Sequence, residues 1–382
     1  MNIPEILRHS GETPFYYYDL DLLRRTLDEV NLCIEGHNAE VHYALKANSD
    51  PRILGMIAAS GFGADCVSGG EVRLALAAGF PASKISYAGV GKTDREIHDS
   101  ILSGIGCFNV ESIEELEVIA EIAERLEKTA PVALRVNPNI DAHTHEYITT
   151  GLEENKFGID LRLLDRAVSI AHNSDSLDLI GLHFHIGSQV TITEPFKLLC
   201  ERINGLVQKY REQGIEFKTL NVGGGFGIDY EDPDRHPIPD FKSYFSSIFD
   251  NLDLGPGQTM ICEPGRSIVA QCGSLIATAI YVKQGIGRKF IILDAGMNDL
   301  IRPALYGAHH LIENLSAPAD SRPEVYDVVG PVCETSDTFA RDEKLPVTRR
   351  GDIFAIRSAG AYGASMASNY NSRHLPSAIY SD

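Results

Sequence analysis

Lys46 follows the alternating run Val41 to Leu45 and stands just before Asp50-Pro51, where a helical pattern opens. A lysine there is either a solvated strand end or an amine aimed into a site, and the residue alone does not decide. The run Asn221-Val222-Gly223-Gly224-Gly225-Phe226-Gly227 removes side chains from consecutive positions, which lets backbone amides approach an anion, although a tight turn uses the same glycines. It is not a Walker loop, because no Gly-Lys-Ser/Thr follows, and Gly89-Val90-Gly91-Lys92-Thr93 lacks the first glycine of one. In Cys262-Glu263-Pro264-Gly265-Arg266 an acid and a base stand three residues apart, so Arg266 can neutralise a phosphate or pair with Glu263.

His183 and His185 are spaced as neighbours on one face of a strand, a pattern that metal-dependent hydrolases also use. No matched set of carboxylates and histidines recurs on other strands, so no metal is expected, and His143 and His145 read as a pair in a loop. Towards the C-terminus, Cys333-Glu334-Thr335-Ser336-Asp337 puts a thiol among acids. Arg302-Pro303-Ala304-Leu305-Tyr306 and Gly360-Ala361-Tyr362-Gly363 add a carboxylate-binding base and two phenols. A single cysteine is more often core filling than acid, and the polar company favours the second role.

Strand patterns are expected at 41–46, 63–67, 85–88, 106–110, 132–137, 179–185, 219–222 and 260–263. Helical patterns fall between them, at 51–60, 70–78, 94–102, 112–128, 161–171, 194–212 and 240–249. Eight such alternations imply parallel pairing and a (β/α)8 barrel, whose reactive residues gather at the C-terminal strand ends. Lys46, Asp65, Ser68, Asn109, Glu111, Arg135, Asn137, His183, His185, Ser188, the glycine run, Glu263 and Arg266 all fall there. Beyond residue 267 the texture turns to β-branched stretches at 276–282, 290–294, 325–329 and 353–358, which read as a mostly β second domain. The expected division is a barrel over 25–265, with 1–24 and 266–382 forming the β domain; strand 15–18 joins the latter, and 229–239 reads as a surface loop.

The chain has 382 residues, a net charge of −19, 43% hydrophobic and 23% charged residues. Those proportions are globular, and the acidic balance argues against nucleic acid or an anionic membrane as a partner. There is no membrane-span-length apolar run and no signal-peptide order at the N-terminus. Seven cysteines without a C-x-x-C pair suit free thiols in a reducing cytoplasm.

In order and spacing these motifs resemble the barrel-type pyridoxal phosphate decarboxylases. The carriers are Tyr43–Asn48, the Gly63–Glu71 stretch, His183–Gln189, Gly223–Gly227, Glu263–Arg266, Cys333–Asp337 and Gly360–Gly363. Thr149 to Gly151, Lys156-Phe157-Gly158-Ile159 and Arg302–Tyr306 add a resemblance to the diaminopimelate-cleaving branch of that family. The resemblance implies decarboxylation of meso-2,6-diaminopimelate to L-lysine and carbon dioxide, with pyridoxal 5'-phosphate carried on Lys46. It also implies Gly223, Gly224, Gly225, Ser188 and Arg266 at the phosphate, Gly265 among the cofactor-binding residues, His185 stacked on the ring and Glu263 at the pyridine nitrogen. Asp65 and Arg135 would support the ring side, and Cys333 would return the proton. Arg266, Arg302, Tyr306 and Glu334 would hold substrate, with Tyr362 near both cofactor and substrate. The family's sites are shared within a homodimer, the Cys333 segment crossing the interface. The nearest rival is the same chemistry on ornithine, arginine or a carboxylated polyamine, and Arg302 speaks for a substrate with a distal carboxylate. A racemase on this barrel would place arginine at the ring nitrogen, and a dead regulator would have lost Lys46 or Cys333.

Overall fold

The computed structural model describes residues 3–138, 156–318 and 320–381. After β1 (Phe15–Tyr18) come β2 (Ala39–Ala44), β3 (Gly63–Cys66), β4 (Ile85–Tyr87), β5 (Cys107–Val110), β6 (Ala130–Arg135), β7 (Leu177–His183), β8 (Thr219–Asn221) and β9 (Thr259–Cys262). Strands β2 to β9 close in sequence order into a barrel, each parallel to the next, and β9 returns to β2 through Val41 opposite Cys262. Three of these strands, β3, β4 and β5, are buried at every residue, as strands enclosed on both faces must be.

Capping residues hold the chain where it leaves β3, β4 and β5. Ser68 accepts from Glu71 N–H, Ser112 from Glu115 N–H, and Thr93 forms a reciprocal capping box with Glu96. The caps at Ser68 and Ser112, each two residues after a strand end, anchor a helix, so Glu111 is held between two fixed elements.

The remaining strands are β10 (Gly273–Gln284), β11 (Lys289–Leu293), β12 (Ile312–Asn314), β13 (Pro323–Val329), β14 (Thr338–Pro346), β15 (Ile353–Ile356) and β16 (Ser377–Tyr380). They form an eight-stranded sheet ordered β12-β15-β10-β11-β13-β14, with β1 joined to β10 and β16. Part of its core is Ile6, Phe15, Tyr17, Ile276, Ile353 and Ala355. The sequence pattern anticipates β1, β10, β11, β13 and β15 but not β12, β14 or β16. Strand β14 carries Arg341, Asp342, Glu343 and Lys344 because it is a sheet edge, where charge blocks further pairing and hides the alternation.

The chain forms two compact units: Leu27–Gly227 with Asp240–Gly265, and Met1–Thr26 with Ile228–Pro239 and Arg266–Asp382. The segment Ile228–Pro239 thus belongs to the β unit. The expected loop at 143–155, including His143, His145 and the Thr149 to Gly151 motif, lies outside the described residues.

Candidate active site

Lys46 lies in the 3-10 turn Leu45–Ala47 rather than in the strand itself. Strand β2 ends at Ala44 because its last partners are Asp65 on β3 and, through Ala44 N–H, the Pro264 carbonyl. Leu45 and Ala47 are buried while Lys46 is exposed, so the turn projects this one side chain. Its charge reaches Asp65, Glu71 and His185, which places it at the barrel end where the strands finish.

Glu263, just past β9, is the buried centre of that end. Asn221 Nδ2 donates to its Oε1 at 2.6 Å and Asn109 Nδ2 at 3.3 Å, while His183 Nε2 lies 2.9 Å from Oε2. Burial alone would raise this carboxyl, but His183 and Asn221 outweigh it and hold the group at about 2. Asp65 goes the other way: burial, then the Glu263 charge, raise it well above the usual range against the pull of Lys46. Two acids share one enclosed space, which favours the protonated form of Asp65 and the ionised form of Glu263. Asp65 Oδ1 is buried without a hydrogen-bond partner among the described residues.

The imidazole of His185 accepts from Gly224 N–H at 3.3 Å, and burial, with Lys46 and Arg135 nearby, holds it well below its ordinary value and so uncharged. Arg135 ends β6 in a 2.5 Å ion pair with buried Glu111, whose carboxylate also accepts from Gly89 N–H and Gly158 N–H. The Arg135 guanidinium lies 4.8 Å from the Phe157 ring centre.

The glycine run needs its glycines. A Cβ at Gly223 would stand 2.1 Å from Phe184 O, and one at Gly225 2.4 Å from Gly187 O, with φ of +71° and +102° respectively. This packing sets the run beside the loop that carries Ser188, and no described residue accepts from the Gly225 or Phe226 amides. A Cβ at Gly265 would stand 3.0 and 3.1 Å from the Cβ atoms of Ala44 and Ala47.

In the β unit, Arg302 opens a five-residue helix and is buried. Its Nη1 meets His310 Nε2 at 2.7 Å and its guanidinium lies 4.7 Å from the Tyr230 ring centre. Tyr230 also accepts from Arg266 Nη1 at 2.7 Å, and the Arg266 guanidinium lies 4.9 Å from the Tyr362 ring. Tyr306 acts electrostatically on both arginines. Burial, together with Arg302, pushes His310 down to about 3.

Cys333 and Glu334 are exposed on a separate loop. Asp337 pins it by accepting from Val332 N–H and Met297 N–H, Cys333 N–H donates to Asn371 Oδ1, and the Tyr370 hydroxyl donates to Glu334 at 2.5 Å. Sequence reasoning did not reach His310, Tyr230, or the grip of Asn109, His183 and Asn221 on Glu263. His183 reads as half of a histidine pair at a strand end, with no partner named for it, and Tyr230 stands in what reads as a surface loop.

Residues 20–270 match the family model of the pyridoxal-dependent decarboxylase, pyridoxal binding domain. The chain is 54% identical to diaminopimelate decarboxylase of Bacteroides thetaiotaomicron, over 97% of this chain and 96% of that protein. With the enzyme of that name from Aquifex aeolicus it shares 41% identity, over 98% and 87% of the two chains. The crystal structure of diaminopimelate decarboxylase from Helicobacter pylori complexed with L-lysine is similar throughout: TM-score 0.93, 42% identity, 99% of this chain and 94% of that one covered.

Proposed function

We propose, from the premise that this chain belongs to the diaminopimelate decarboxylase family of pyridoxal-dependent decarboxylases, that it removes one carboxylate of meso-2,6-diaminopimelate as carbon dioxide and yields L-lysine, a step of lysine biosynthesis. Its cofactor is pyridoxal 5'-phosphate. When bound, the cofactor supplies a sink for the electron pair left by the departing carbon dioxide. The residues fit it: Asp65 offers a buried oxygen without a partner, the Gly225 and Phe226 amides lack protein acceptors among the described residues, and Glu263 is kept ionised to face a protonated ring nitrogen.

In this reading Lys46 carries the cofactor, and the uncharged face of His185 packs on its ring. Asp65 and Arg135 support the ring side. Ser188, Gly223, Gly224, Gly225 and Gly265 serve the phosphate, and Arg266 and Tyr362 keep the cofactor and substrate roles that the resemblance gives them. Cys333 returns a proton, while Arg302, Tyr306 and Glu334 hold the substrate's distal amino and carboxylate groups.

The observation that carries the substrate is Arg302: a buried guanidinium that meets no carboxylate among the described residues. An uncompensated buried charge costs several kcal/mol, so the ligand is the natural source of the missing anion. Carbon dioxide release should therefore be fast with meso-diaminopimelate and negligible with ornithine or lysine; comparable rates on lysine would overturn the assignment.

The enzyme is further read as a cytoplasmic homodimer with shared sites. The exposure of Cys333 in the single chain supports that reading, as do seven cysteines that are all free. No helix among the described residues is long and apolar enough to cross a membrane. Mixing inactive Lys46→Ala and Cys333→Ala dimers under exchange should restore about a quarter of wild-type activity, because half the dimers then hold one intact site. No recovery despite demonstrated exchange would refute sharing.

A further inference from the structure

The bond between Arg302 and His310 has only one chemically consistent assignment. A carbonyl oxygen can only accept, so the 2.8 Å contact of His310 Nδ1 with Arg357 O places a proton on Nδ1. A guanidinium can only donate, so Arg302 Nη1 at 2.7 Å requires a bare Nε2. One imidazole that meets both demands is neutral and fixed in a single tautomer.

The choice of a neutral partner contrasts with the arginine next in the network. Arg357 is also buried, and it is paired in the ordinary way, with Asp234 at 2.7 Å and Glu313 at 2.5 Å. Those two acids fix the arginine whose carbonyl holds His310. Arg302, by contrast, has a histidine, a phenol ring beneath it and no acid among the described residues. Its Nη1 is taken by His310, while among the described residues neither the buried Nε nor Nη2 has a partner. That leaves the Nε–Nη2 edge, the side of a guanidinium that receives a carboxylate through two parallel hydrogen bonds.

We propose that His310 is a specificity-determining positioning residue: acting as an uncharged acceptor, it turns the Nε–Nη2 edge of Arg302 toward the substrate's distal carboxylate and leaves the full guanidinium charge for that group. This rests on the reading of Arg302 given above and names the device behind it. A carboxylate at position 310 would aim the guanidinium equally well but would cancel its charge. An apolar residue would leave the charge and lose the aim.

The test uses the holoenzyme and two competitive probes. L-Lysine keeps the substrate's distal amino acid end, whereas cadaverine lacks the carboxylate. Their inhibition constants are measured for wild type, His310→Gln, His310→Leu and His310→Glu, with KM and kcat for meso-diaminopimelate. Wild type should prefer lysine. His310→Leu should weaken lysine about tenfold and leave cadaverine unmoved, with the loss falling on KM more than on kcat. His310→Gln, a neutral acceptor, should recover most of the preference, and His310→Glu should abolish it. A wild-type lysine preference in either His310→Leu or His310→Glu overturns the positioning role, and His310→Leu decides alone should the buried acid of the glutamate variant prevent folding. If wild type itself binds cadaverine as tightly as lysine, it is the reading of Arg302 that falls.

Discussion

Lys46→Ala should abolish the visible absorbance of the cofactor-loaded enzyme and lower carbon dioxide release by on the order of 10^4-fold or more, the scale seen when a covalently acting residue is removed. The expectation follows from its surroundings. The turn at Leu45–Ala47 buries its two neighbours and exposes only the lysine, so nothing in the packing explains the residue. Asp65, His185 and Glu71 all feel its charge, which puts the amine among the groups assigned to the ring. Because the side chain is exposed, the cofactor-free variant should keep its stability to within about 0.5 kcal/mol. Loss of absorbance with an intact fold identifies the attachment point; an unchanged spectrum would remove Lys46 from the chemistry.

Glu263→Gln should leave the cofactor attached and the visible absorbance present, yet slow carbon dioxide release by on the order of 10^2- to 10^3-fold, the usual loss when one preorganised electrostatic group is deleted. Glutamine has the right shape but cannot supply the negative charge that keeps a ring nitrogen protonated. Activity within about threefold of wild type would exclude that role. The substitution also has a pH signature. Glu263 is depressed to about 2 in the folded protein, so its contribution to stability is present above the ordinary carboxylate range and is lost as pH falls towards 2. Asp65 is raised, in part by Glu263, so its effect has the opposite sign and is lost as pH rises through its folded value. Removing the Glu263 charge should lower Asp65 and flatten the acid limb of a denaturation-midpoint profile. An acid limb as steep as that of wild type would show that Glu263 does not titrate in this way.

The placement of reactive groups was legible because barrels impose a simple rule. Each strand is a short buried run that any periodicity analysis finds, and whatever follows it lies at the ring of C-terminal ends. That rule places Lys46, Asp65, Arg135, His185 and Glu263 at the ring of strand ends. The edge strand β14 was not, because its charges serve to discourage pairing and erase the alternation that marks a strand. The loop read at 229–239 is exposed at Glu231, Asp232 and 234–236, as such composition suggests, yet it delivers Tyr230 to two arginines. Composition says where a loop is solvated and nothing about which side chains it turns toward a partner.

By itself the sequence determined the barrel and the β unit, since periodicity and strand-end position are local properties, and it pointed to the kind of chemistry through the resemblance its motifs carry. Only the tertiary structure decided the charge and aim of the key groups. Glu263 is ionised because Asn109, His183 and Asn221 converge on it from three different strands, and one of those partners is 154 residues away. Arg302 keeps its charge because His310, eight residues on, is itself fixed by the backbone of Arg357. Protonation states and hydrogen-bond directions depend on what encloses a group, and enclosure exists only after the chain has folded.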